Sequence, residues 1–302
     1  MSTLAILNPV AGKHAGRRVW ERVQESVAAA REWKCVTTAS AGHARELAQA
    51  AANDGYDRVV VIGGDGTVFE VANGLAHSSA ALAIIPAGTA NDVAVNLGIP
   101  RKPAAAAALA ATAAPRGIDL CHIETAQTSA FFLNVAGFGF DAEVAWRVNR
   151  APKLLIGGGT LPYVAGVLET LWRYQAPRMR LSIDGKSVDR AVFLVAVGNC
   201  DSYGGGMRIV PRARPDDGLL DVCVVRDVSR FEVLKLLPRL YSGGHVGHPS
   251  VELFRCRELT ADADGRVLCQ ADGELVGGLP ARFAILPAAL QCVTGPLAGS
   301  PS

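Results

Sequence analysis

Apolar residues fall in two rhythms through roughly the first 120 residues: short β-branched runs alternate with longer stretches of helical period. The runs Leu4–Leu7, Cys35–Thr38, Val59–Ile62 and Leu82–Ile85 read as strands. Arg17–Ala30, His43–Asn53, Thr67–His77 and the alanine-rich Ala104–Ala114, set between Pro103 and Pro115, read as helices. Strand alternating with helix predicts a parallel sheet with right-handed crossovers, an α/β domain. From Ile118 the texture changes. Phe131–Val135, Arg178–Ile183, Ala191–Val197, Leu219–Val225 and Arg282–Ile285 read as strands, while only Thr160–Tyr174 and Ser229–Leu240 read as helices. The chain therefore divides into an α/β domain over residues 1–117 and a β-rich domain over 118–286, joined near Ala113–Gly117.

Polar and glycine-rich signals in the first half cluster at predicted strand ends. They are Asn8-Pro9-Val10-Ala11-Gly12, Thr38, Gly63-Gly64-Asp65-Gly66-Thr67, and Pro86-Ala87-Gly88-Thr89-Ala90-Asn91-Asp92. Ligands on parallel sheets bind outside those ends. Glycines let backbone N–H groups crowd an anion that a Cβ would keep away, and a helix opening near Thr67 would aim its positive dipole end there. Asp65 would repel phosphates unless a divalent cation or a hydroxyl donor lies between, so the pattern points to a metal–nucleotide phosphate site. Taken alone, GGDG is equally an ordinary tight βα turn.

Composition narrows the partners. In 302 residues, half are hydrophobic and 19% charged, which permits a large core; a net charge of +2 and 6% aromatic content argue against nucleic acid. Seven scattered cysteines without a CxxC pair predict neither disulfides nor zinc, but a reducing, cytoplasmic setting. No secretory leader and no membrane span is expected, and Gly299–Ser302 read as an unstructured end.

The three loops resemble the nucleotide-loop motifs of the diacylglycerol kinase catalytic-domain superfamily, and within it the soluble bacterial lipid kinases. Further blocks agree in order: Asn134–Ala142, Gly204–Pro211, Asp216-Asp217-Gly218-Leu219-Leu220-Asp221 and Asp272-Gly273-Glu274. The resemblance implies an N-terminal α/β domain like that of phosphofructokinase, a C-terminal β-sandwich domain meeting it across the active-site cleft, and a segment 287–302 that rejoins the first domain. It implies ATP as co-substrate and Mg²⁺ as cofactor. The nucleotide site would comprise Asn8, Thr38, Gly63, Gly64, Asp65, Gly66, Thr67, Val68, Phe69 and Thr89; for Asn8 and Thr38, ordinary capping is the alternative. Asn91-Asp92 would act near metal or phosphates, or merely cap a helix. In Asp272-Gly273-Glu274, acid–Gly–acid sends two carboxylates outward as catalytic groups, with Glu274 the general base; a surface hairpin turn is the alternative. Asp217, with the carbonyls of Arg214 and Leu219, would hold a structural Mg²⁺, with Asp216 able to serve instead. One departure stands out: Phe69 occupies a position where the family usually has Asn, although Glu70 follows as usual.

A lipid acceptor at the membrane surface is the expected partner; peripheral membrane contact and a homodimer are each compatible with the sequence, which leaves the oligomeric state open. Trp146, Arg147, Arg150, Lys153, Trp172, Arg173 and Arg178 flank the apolar stretch Leu154–Leu171, which suits a bilayer interface. Leu161, Val164, Leu168, Leu171 and Trp172 also recur at helical spacing and could form a core face. Two further functions compete with a lipid kinase: an NAD kinase, which shares GGDGT, and a lipid-binding protein that retains the fold without turnover.

Overall fold

A computed structural model describes residues 1–150 and 160–297, with side chains described for residues 1–147 and 166–297. The sequence expectations for Lys153, the start of the Leu154–Leu171 stretch and Gly299–Ser302 lie outside the described residues, as do the side chains of Arg150, Leu161 and Val164.

The first lobe runs β1 (Thr3–Leu7), α1 (Ala11–Ser26), β2 (Lys34–Thr37), α2 (His43–Asn53), β3 (Arg58–Gly63), α3 (Asp65–Leu75), β4 (Ala81–Pro86), α4 (Asp92–Asn96) and α5 (Pro103–Thr112). Its sheet is parallel in the order β4-β3-β1-β2. Both faces are covered by helices, so β3 is buried along its whole length, with Val59, Val60, Val61 and Ile62 at 0% exposure. Each such side chain contributes about 1.5–3 kcal/mol of transfer free energy. From β1 the chain steps outward to β2, then back past β1 to β3. The order therefore reverses between β1 and β3, and a crevice opens at their carboxyl ends.

The second lobe adds β5 (Arg116–Thr125), β6 (Ser129–Phe132), β7 (Val135–Gly139), α6 (Phe140–Arg150), α7 (Thr160–Arg173), β8 (Arg178–Ile183), β9 (Lys186–Gly198), β10 (Leu220–Arg226), α8 (Arg230–Leu240), β11 (Val251–Cys256), β12 (Glu258–Ala263), β13 (Leu268–Ala271), β14 (Glu274–Gly278) and β15 (Ala281–Cys292). β9 turns the corner of a sandwich: Lys186–Ala191 pair with β8, whereas Leu194–Gly198 pair with β7 and β10. Between the layers lies a core in which Phe138 and Phe283 stack at 5.5 Å. Two differences from the sequence reading have local causes. Phe131–Val135 is two strands, because Leu133 and Asn134 break the ladder to donate their N–H groups to a carboxylate. Phe140–Arg150 is a helix although its pattern follows straight on from a strand.

The lobes are stitched together. β15 pairs antiparallel with β5 along most of its length, then its last residue, Cys292, pairs parallel with Leu82 of β4. Beyond it, the Val293 N–H donates to Leu82 and that of Gly295 to Leu97. Leu290 and Leu297 lie in the first lobe's core. No helix among the described residues is long and apolar enough to cross a membrane. Because Leu290 is 0% exposed, Leu290→Ala is expected to cost about 2–5 kcal/mol in urea denaturation. A loss below about 1 kcal/mol would mean that the chain end contributes little to the first lobe.

Candidate active site

The crevice at the sheet's reversal point is a cleft of about 450 Å³ bordered by the loops after β1, β2 and β3. The loop after β1 is pinned by Asn8. Its Oδ1 accepts from the Val10 N–H at 3.1 Å, and its Nδ2 donates to Thr67 Oγ1 at 2.9 Å. Asn8 thus ties the first loop to the glycine loop. The glycines are there for close approach. A Cβ on Gly12 would overlap the Ala87 carbonyl, and one on Gly88 would lie 2.5 Å from the Gly64 Cα, so the loops after β1, β3 and β4 touch backbone to backbone. Helix α3 starts at Asp65, earlier than its apolar period suggests, and Gly64 gives it no side-chain cap. Its first-turn N–H groups have no intrahelical acceptor and form an anion site with the helix dipole.

Across the cleft stands the β13–β14 hairpin. Asp272 (φ 49°) and Gly273 (φ 88°) form its two-residue turn, the left-handed pair that favours Asp-Gly. The hairpin turn is therefore present, and the same turn delivers Glu274 to the glycine loop. A Cβ on Gly66 would lie 2.8 Å from Glu274 Oε1. The enclosing protein raises the Glu274 carboxyl above the usual glutamate range, and the nearby charge of Glu70 raises it further.

Asp272 corrects the expectation of two outward carboxylates. Its side chain turns inward and accepts the N–H groups of Leu133 at 2.8 Å, Asn134 at 2.9 Å and Val135 at 3.1 Å. Burial pushes this carboxyl up to about 7, although those three donors pull it down. Asp272 fixes the hairpin and does not itself face the cleft.

Thr38, Gly64, Gly66, Thr67, Asn8 and Glu274 line one cleft. Gly63 sits just behind, where a Cβ would lie 2.6 Å from the Thr67 Cβ. Asp65 turns toward α4, its Oδ1 accepting the Val93 N–H at 3.1 Å. Val68 and Phe69 do not line the cleft. Val68 is buried in the first lobe's core, and Phe69 packs against the sandwich core. Thr89 is exposed and does not line the cleft either. Neither Asn91 nor Asp92 lines the cleft. Asn91 closes its own turn on Gly88, while Asp92 accepts the Gly205 N–H from the other lobe at 3.0 and 3.1 Å.

The expected magnesium loop is also different. The Asp217 carboxylate is paired with the Arg255 guanidinium, which also reaches Asp221 at 3.5 Å, and Asp216 is paired with Arg116 and Arg214. The positive charge beside these acids comes from the chain itself, so Arg214, Asp217 and Leu219 do not fit a protein-built magnesium cage. A larger groove of about 830 Å³ crosses β8, β12 and β15 among paired arginines and acids. It holds none of the nucleotide loops.

Two site residues gave little sign of their role in the sequence. Glu70, one turn into α3, accepts the Gly42 N–H at 2.8 Å and the Ala44 N–H at 3.0 Å, and so anchors the loop after β2 at the start of α2. Asn96 binds Asn134 at 2.9 Å and the Ser202 carbonyl at 2.7 Å, tying the lobes together. The only hint was an acidic residue one turn after GGDGT.

A glycine-loop anion site on a parallel sheet, faced by a carboxylate from a second lobe, defines a two-lobed phosphotransferase. Residues 2–123 match the diacylglycerol kinase catalytic domain, and residues 134–294 match the YegS C-terminal NAD kinase beta sandwich-like domain. The chain is 38% identical to a diacylglycerol kinase of Mycobacterium tuberculosis over 82% of its own length and 80% of that protein's. It is 35% identical to a YegS-like lipid kinase of Pseudomonas aeruginosa, covering 93% of this chain and 91% of that one. A crystal structure of a candidate diacylglycerol kinase from Bacillus anthracis superposes with a TM-score of 0.81 at 26% identity, over 98% of both chains. The chain belongs to the diacylglycerol kinase catalytic-domain family and is a kinase, with ATP as its co-substrate.

Glu70→Gln replaces one acceptor with a donor facing a backbone N–H, at a cost of about 1–3 kcal/mol. Hydrogen exchange across residues 39–44 should accelerate; unchanged protection there would rule out the anchoring role.

Proposed function

We propose that the chain transfers the γ-phosphoryl group of ATP to a hydroxyl of a diacylglycerol-like lipid, with Glu274 as general base. The observation that carries this reading is the approach of Glu274 Oε1 to the glycine loop at Gly66. A lipid hydroxyl bound beside Oε1, at the mouth of the cleft, would be within reach of both the base and a phosphate on the loop. As its oxygen bonds to the γ-phosphorus, Glu274 takes its proton and the bond to the β-phosphate oxygen breaks, giving ADP and a phosphomonoester. Phosphoryl transfer needs positioning and charge stabilisation more than covalent help from the protein. Backbone N–H groups at the start of α3 supply the latter, and the Asn8–Thr67 bond holds their loop.

Magnesium fits as a companion of the nucleotide. It takes few protein ligands besides substrate phosphates, and in the glycine loop that leaves the second oxygen of Asp65, whose Oδ1 already accepts the Val93 N–H. When bound it neutralises phosphate charge. No step is assigned to a second ion beside Asp217.

The lipid is met at a membrane surface. Leu168 and Trp172 on α7 are 40% and 53% exposed, and Trp172 meets Phe231 of α8, itself 69% exposed, at 6.2 Å. Leu171, between them in sequence, is buried, so α7 has both the core face and the outward apolar face that its period allowed. In sequence Arg173 follows Trp172 and Lys235 comes one helical turn after Phe231, a composition suited to the interface. The double variant Trp172→Ala/Phe231→Ala should sediment less with phosphatidylglycerol-containing vesicles while keeping its ATP affinity. Equal sedimentation would reject this face.

Glu274→Gln should lower kcat by about 10²–10⁴-fold and leave nucleotide affinity unchanged. A base works only when ionised. With the Glu274 carboxyl raised, activity should be full above an acid limb lying higher than the usual glutamate value of about 4.3, and fall as pH drops through it. Removing the Glu70 charge as Glu70→Gln should move that limb to lower pH. Undiminished kcat in Glu274→Gln would reject the reading.

A further inference from the structure

The Asp272–Gly273 turn is gripped on a second side, away from the N–H groups of Leu133–Val135. Gln270, 2% exposed on β13, accepts the Gly273 N–H at its Oε1, 3.0 Å away. A backbone N–H can only donate, so this bond fixes the amide: oxygen toward the turn, NH₂ away from it. That NH₂ donates to Asp141 Oδ2 at 3.1 Å, and the other Asp141 oxygen accepts the Ala142 N–H at 2.8 Å. Asp141 begins α6, outside the cleft. Room for its carboxylate comes from β7, where Gly137 pairs directly with Gln270 and a Cβ would overlap Asp141 Oδ2. A run of fixed polarity thus leads from α6 through Gln270 to the residue immediately before Glu274.

We infer that Gln270, oriented by Asp141, is a positioning residue that holds the Glu274 carboxylate against the glycine loop. The inference rests on the reading of Glu274 as the base. Both neighbouring groups are needed. Without Asp141, the Gln270 NH₂ loses its buried acceptor, and the Gly273 N–H alone is left to hold the amide. Without Gln270, the Gly273 N–H loses its buried acceptor, and the turn can rotate about its two left-handed residues.

The polarity can be reversed, and that is the test. In Gln270→Glu a carboxylate faces the Asp141 carboxylate. In Asp141→Asn/Gln270→Glu, one oxygen of residue 270 still accepts from Gly273, the other accepts from the new amide NH₂, and that amide's oxygen still accepts from Ala142. Wild type, both single variants, the double variant and Glu274→Gln are assayed with ATP and dioleoylglycerol in mixed micelles, with thermal melting as a control on folding. Gln270→Glu should lose at least about tenfold in kcat with the KM for ATP within about twofold. The double variant should recover most of that loss, a coupling of about tenfold. A merely structural role would move melting temperature and kcat together, and a role of Asp141 in touching substrate would leave the double variant as slow as Asp141→Asn. Either result overturns the inference. If Gln270→Glu does not fold, Asp141→Asn decides: lowered kcat at unchanged ATP KM supports the proposal, and wild-type kcat defeats it. Should Glu274→Gln stay fully active, the base reading fails and the positioning role with it. Should Glu274→Gln be inactive while Asp141→Asn fails to rescue Gln270→Glu, only the positioning role fails.

Discussion

Everything at the cleft depends on one close approach, that of a carboxylate carried by one lobe to a glycine on the other. Gly66 has no Cβ, and Glu274 takes up the space that a Cβ would need. That approach requires the hairpin tip to be immobile to within a fraction of an ångström, because positioning is most of what a phosphotransferase supplies. Rigidity comes from the backbone as much as from side chains. Two consecutive left-handed residues set the turn, and the inward Asp272 collects three N–H groups from the break between β6 and β7. An acid in the turn is thus spent on architecture, while its neighbour is the carboxylate that reaches the glycine loop.

The same logic extends to how the lobes are joined. Asn73, two turns along the helix that opens at the glycine loop, exchanges hydrogen bonds of 2.8 Å with Phe131 of β6. Asp92 and Asn96 reach the loops around Gly205 and Ser202. Phe69, at a position where the family resemblance leads one to expect Asn, packs against the sandwich core. An amide there could make a polar contact; a phenyl ring contributes apolar area between the two halves instead. The return of β15 to β4 closes the circuit, since the chain crosses the lobe boundary twice.

What was legible in the sequence follows from the range of the interactions involved. Val59–Ile62 as a buried strand, His43–Asn53 as a helix and the glycine turn between β3 and α3 rest on neighbours within a few residues, and the pattern carries them. Helix α3 starts at Asp65 and not Thr67 because its first turn faces an anion site, where no apolar period is required. Glu70 and Asp92 were opaque because their partners lie at Gly42 and Gly205, and a helical acid looks the same in sequence whatever it binds. Asp217 invited a cation, but a distant arginine on β11, Arg255, was folded onto it.

By itself the sequence determined the kinds of element, the order of the two lobes and the family's phosphate-binding loops, because glycine spacing and side-chain period act locally on the backbone. Only the tertiary structure decided which acid faces the cleft and which one is buried as a brace, and that the two lobes share a single sheet. Those outcomes depend on backbone N–H groups and Cβ-free surfaces arriving from parts of the chain more than a hundred residues apart, and no local pattern encodes where they will meet.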